Sequence, residues 1–171
     1  MISPTTLITM RITNPFLLLV SLLTGLLVLS GCETRSELTI SGPPQNTPTT
    51  VTITVDNRSN DAWVVVDVQG GTDVTDGSTD NPTLRFKKDV RYVINNMGGE
   101  NNHPIALKDA DGSILLRQDT GGGSLSGDED INFVANTDGI AFTFTRTLLQ
   151  EVDAYNCLNH AAMEGSIVVV E

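Results

Sequence analysis

From Thr50 onward the apolar residues recur with period two, and this limits what the chain can fold into. Val51, Ile53 and Val55 alternate with Thr52, Thr54 and Asp56, which places apolar side chains on one face of a strand and polar ones on the other. Residues 63–68 form a β-branched run that predicts a strand buried on both faces. Residues 84–86, 90–94, 105–107, 114–116, 131–135 and 140–145 add further short apolar segments. Between them lie turn-forming stretches at 72–82, 109–112 and 136–139. Gly121 to Gly127 predicts a flexible connection. Only residues 147–152 have helical spacing, with Leu148, Leu149 and Val152 on one face. About eight short strands and at most one short helix predict an all-β domain over 50–171, a Greek-key β-sandwich.

The first 49 residues are of a different kind. Arg11 precedes an apolar stretch at 16–29, and Leu29-Ser30-Gly31-Cys32 resembles a bacterial lipobox. This predicts a signal peptide at 1–31, cleavage before Cys32 and acylation of its thiol. Residues 32–49, with Pro43, Pro44 and Pro48, then form a flexible tether between lipid and domain. The alternative, a transmembrane anchor, is poorly served by about 14 apolar residues where a spanning helix takes roughly 20. The expected location is extracytoplasmic, periplasmic or cell-surface, with the protein held at the membrane surface by its lipid anchor.

With Cys32 acylated, Cys157 has no intramolecular disulfide partner. A free thiol in an oxidising compartment is a liability unless it is buried or metal-bound. Cys157, His160 and Met163 follow one another at intervals of three, and in a tight turn such positions point the same way. His103, the only other histidine, lies in Asn101-Asn102-His103-Pro104-Ile105, at the mouth of a strand. One thiolate, two imidazoles and a thioether make the ligand set of a blue-copper centre. Zinc would gain little from the thioether. Taken singly each residue has a plainer reading, since a lone cysteine is commonly a small buried hydrophobe and a methionine beside alanines is usually core. The joint pattern uses every histidine, and it requires an imidazole nitrogen of His103 within about 4 Å of the Cys157 sulfur.

The run Tyr-x-Cys-x-x-His-x-x-Met-x-Gly-x-Ile-x-Val at 155–169 resembles the ligand loop and final strand of the cupredoxin family, which includes plastocyanin, azurin and the halocyanins. His103-Pro104 is similar to the first ligand histidine of plastocyanin-like domains. The resemblance implies one copper ion per domain, held by His103, Cys157, His160 and Met163. His160 would be the more exposed ligand, framed by Leu158, Ala161 and Ala162. The implied function is single-electron transport between redox protein partners, with no catalysis and no small-molecule substrate. Two residues separate His160 from Met163 where many blue-copper loops have three or four. Pro104 stands where many members have an asparagine; it has no N–H to give the cysteine sulfur, which leaves the Asn159 N–H as the expected backbone donor.

A net charge of −11 argues against nucleic acid as a partner and favours a basic protein surface. No P-loop, nucleophile elbow or paired-carboxylate motif is present. Two other readings stand beside the electron carrier: a copper chaperone or sensor on the same site, and a metal-free structural sandwich.

Overall fold

A computed structural model describes residues 49–77 and 79–170. The expected signal peptide, Cys32 and the tether up to residue 48 lie outside the described residues. Among the described residues the strands are β1 (Thr50–Arg58), β2 (Ala62–Gln69), β3 (Leu84–Lys87), β4 (Arg91–Asn96), β5 (Ile105–Lys108), β6 (Ile114–Arg117), β7 (Val134–Asn136), β8 (Gly139–Thr143), β9 (Ala154–Cys157) and β10 (Glu164–Val170), with one helix, α1 (Arg146–Glu151). They form two five-stranded sheets in the orders β2-β1-β4-β8-β7 and β3-β10-β9-β5-β6. The all-β sandwich read from the alternation is therefore the fold. Among the described residues the strands number ten because β9 and β10, on either side of residues 158–163, also find ladder partners.

The inward residues follow the period of two. Val51, Ile53 and Val55 from β1, Tyr92 and Ile94 from β4, and Ile140 and Phe142 from β8 face Leu84 and Phe86 from β3, Ile105 and Leu107 from β5, and Tyr155 and Cys157 from β9 in one core. Each such aliphatic or aromatic side chain, taken fully from water, contributes roughly 1.5–3 kcal/mol. Phe86 is the hub of the aromatic part, with ring centroids 4.3 Å from Tyr92, 5.3 Å from Phe144 and 5.7 Å from Phe142. The Thr145 hydroxyl caps α1 by accepting from the Leu148 N–H, and Leu148 is buried with Leu149 and Val152 packed against the core.

Three local expectations are corrected. The run at 63–68 is not buried on both faces. β2 is an edge strand, and Val66 is 52% exposed while Trp63 is fully buried. A β-branched run has the same composition at an edge as at the centre of a sheet, so the pattern alone does not tell them apart. The segment at 131–135 shortens to β7, because Ile131 sits in a turn and reaches the core from there. Residues 121–127 are not a free connection. Ser124 and Leu125 donate to the carbonyls of Ile114 and Leu115, and Arg117 donates to Gly122.

The chain crosses between sheets so that the loops before β5 and between β9 and β10 meet at one end. β5 pairs antiparallel with β9, and Ile105 lies opposite Cys157. His103, two residues before Ile105, is thereby brought to Cys157, 54 residues later in the chain.

Candidate metal centre

Cys157 ends β9, on the same inward face as Tyr155. Its backbone N–H donates to the Met163 carbonyl (2.9 Å), and the Met163 N–H donates to the His160 carbonyl (3.1 Å), which folds residues 157–163 into a closed loop. Gly165 makes the close return possible: a Cβ there would lie 2.5 Å from Cε1 and Cζ of Tyr155, the residue it pairs with in the ladder. Only a residue without a side chain lets β10 pass beneath that ring. The Tyr155 hydroxyl donates to the Pro82 carbonyl, and Asn81 donates its side-chain amide to the Ala162 carbonyl, so the segment before β3 braces the loop from outside.

The two ligand loops are also tied to each other. The Leu158 N–H donates to the Pro104 carbonyl (3.0 Å). The Asn159 side chain donates to the carbonyls of Asn101 (3.3 Å) and Asn102 (3.0 Å). Asn159 thus acts through its amide group. The polar neighbours of the Cys157 sulfur are the Nδ1 atoms of His103 and His160.

The four residues named from the sequence converge. His103 Nδ1 lies 3.9 Å from Cys157 Sγ, and His160 Nδ1 lies 3.5 Å from the same sulfur. Met163 Sδ is 3.2 Å from His103 Nδ1. The ligand atoms of His103, Cys157 and His160 all lie within 4.8 Å of one another. A nitrogen and a sulfur bound at ordinary lengths to one ion stand about 3.5 Å apart at a tetrahedral angle and about 3.7 Å at a trigonal one. The observed pairs match those separations, and both imidazoles present the same ring atom, Nδ1, to the sulfur. His103, Cys157 and His160 can hold a metal ion.

Burial grades across the site. Cys157 and Met163 are closed off, His103 is 6% exposed, and His160 is half-buried. Ala161 and Ala162 are exposed beside it. The depression over the two imidazoles, of about 530 Å3, is lined by Asn60, Asn101, Asn102 and Asn159 as well as the histidines. The apolar frame expected around His160 is therefore only one side of the rim. The acidic turns do separate work: Asp109 Oδ1 accepts from the N–H groups of Asp111 and Ser113, Asp76 accepts from the Thr83 N–H, and Asp80 pairs with Arg58.

Burial first, and the neighbouring His160 second, pull the pKa of His103 below the ordinary imidazole range, against the opposing pull of Asp56. A neutral imidazole is the form that binds metal, so protons compete weakly at this position. The unfolded chain takes up the His103 proton near pH 6.5 and the folded chain only at lower pH. Stability of the metal-free domain is thus full above that value and falls as pH drops through the window below it. Denaturant midpoints between pH 7.5 and 5 test this against His103→Gln. The wild type is expected to lose more stability than the variant over that range, and parallel curves would refute the assignment.

The sequence reading missed three buried or bridging polar residues, Asn81, Asn96 and Gln118. Asn96 continues the inward phase of Tyr92 and Ile94, and Gln118 that of Leu116, so an amide on an apolar phase was the available signal. The chain matches no protein-family model, no curated protein and no solved structure.

Proposed function

We propose that this domain is a blue-copper electron carrier of cupredoxin type, exported and held at a membrane surface through a lipid on Cys32. The observation that carries the reading is the presentation of Nδ1 from both His103 and His160 to the buried sulfur of Cys157, with the Met163 thioether against His103. Two imidazoles, a thiolate and a thioether form a donor set selective for copper over harder ions. When bound, copper supplies a one-electron Cu(I)/Cu(II) couple.

The chain's own residues account for the rest. β5, β9 and the closed 157–163 loop hold the donor atoms through backbone hydrogen bonds, which would keep reorganisation small when a bound ion changes charge. Closure of the four donors leaves no position for a substrate, so the reading is a carrier without catalysis. The half-buried imidazole of His160, beside exposed Ala161 and Ala162, gives a redox protein partner a short path to the site. The net charge of −11 suits a partner with a basic surface.

Loading the soluble domain with Cu(II) tests the reading. The expected result is an intense visible absorption band that disappears with a one-electron reductant and returns on reoxidation. A colourless domain that takes up no copper would make it a structural sandwich. Rapid surrender of Cu(I) to a chelator, with no reversible band, would make it a chaperone.

A further inference from the structure

We propose that Asn96 and Gln118 are positioning residues of this centre, forming a buried amide relay that sets where His103 stands; the inference rests on reading the site as a copper centre. Both side chains are among the few buried polar groups, 5% and 2% exposed. Asn96 Nδ2 donates to the His103 carbonyl (2.6 Å) and to Gln118 Oε1 (2.8 Å). Gln118 Oε1 also accepts from the Ile105 N–H (3.2 Å), and the Gln118 N–H donates to the Ile105 carbonyl (2.9 Å). The relay therefore grips the backbone on both sides of Pro104.

The orientation of both amides is dictated by the backbone. Gln118 Nε2 faces the carbonyls of Asn136 (3.0 Å) and Thr137 (3.3 Å) and must be the donor end. Its oxygen then points at Asn96, which can answer only with its NH2 group. The His103 carbonyl makes the same demand. Asn96 Oδ1 is left buried without a partner, and the backbone of Asn96 is held by its N–H to the Asp138 carbonyl (2.7 Å). An unpaired buried oxygen weakens the fold, so this amide is poorly explained by stability alone. It is explained by His103. That ligand lies outside the 157–163 loop, and its loop crosses Gly98, where a Cβ would come within 3.1 Å of His103 Cβ and 3.2 Å of Asn96 Oδ1.

The variants Asn96→Asp and Asn96→Leu test the relay, because both keep roughly the size of the side chain; leucine cannot donate, and a protonated aspartic acid offers one O–H where the amide gives two N–H groups. The measurements are Cu(II) affinity by competition with a chelator, the position of the visible band, and the unfolding midpoint of the metal-free protein. Affinity is expected to fall roughly 10- to 100-fold, as when partners behind a ligand are removed, with a shifted band. Asn96→Leu exchanges one unpaired oxygen, Asn96 Oδ1, for another, the His103 carbonyl, so it is expected to keep a midpoint near the wild type, and affinity and stability separate. If Asn96→Asp does not fold, Asn96→Leu decides alone. Affinity within twofold of wild type, or loss of affinity only in step with loss of midpoint and with an unshifted band, overturns the proposal. Unchanged Cu(II) affinity in a parallel Cys157→Ser protein would instead overturn the reading of the centre itself.

Discussion

Cys157→Ser is expected to abolish the visible band of the Cu(II)-loaded domain and to weaken copper binding by more than about 100-fold, beyond what loss of a group behind a ligand costs. A serine hydroxyl stays protonated near neutral pH and offers a hard oxygen where Cu(I) selects soft sulfur. The two Nδ1 atoms, 3.9 and 3.5 Å from that position, would remain with only the Met163 thioether as a third donor. The fold should survive, because the Cys157 N–H to Met163 carbonyl bond and the pairing with β5 are made by the backbone. A hydroxyl in this closed site (Cys157 is 1% exposed) costs about 1–3 kcal/mol if it finds no partner. Absorption titration and circular dichroism separate the two effects. A variant that keeps the band would place the copper elsewhere and end the assignment of Cys157 as its thiolate.

The parts of the molecule that were readable in the sequence are those encoded by local order. The alternation at 51–55 and the apolar segment at 90–94 recur as β1 and β4, and the three-residue spacing of Cys157, His160 and Met163 becomes one closed loop. Bringing His103 to that loop required knowing only that a β5 starting near Ile105 could pair with the strand ending at Cys157. What could not be read depends on neighbours in space. The exposure of Val66 follows from β2 lying at an edge, and no residue in the run marks that edge. The clamp from Asn159 to Asn101 and Asn102 joins two loops through side-chain geometry that spacing does not encode. Asn96 and Gln118 fall between these cases. Their inward phase was visible, but their partners are main-chain carbonyls, the Ile105 N–H and each other, and sequence does not reveal these before the strands are docked.

The largest loss of stability from a single side chain is expected at Trp63. Trp63→Ala removes a fully buried indole and should cost about 3–5 kcal/mol through lost burial and the cavity left behind, a large part of the roughly 5–15 kcal/mol that holds a typical domain folded. The backbone of Trp63 stays fixed by its bonds with Asn81, N–H to Oδ1 at 2.9 Å and carbonyl to N–H at 2.8 Å, so the strand has little freedom to close the void. The indole also meets the His103 ring edge-on, with centroids 6.2 Å apart and planes at 71°. Its removal should loosen that ligand as well as the core. Trp63→Phe separates two opposed terms. It gives up part of the ring area, but it also removes an indole N–H that is buried without a partner, a group whose isolation costs about 1–3 kcal/mol. The two should nearly cancel, leaving Trp63→Phe within about 1.5 kcal/mol of the wild type while Trp63→Ala is far below it. Denaturant unfolding of the three metal-free proteins measures both differences. If Trp63→Phe proves as damaging as Trp63→Ala, release of the indole N–H offsets nothing and the filling of the full indole volume alone sets the stability at this position.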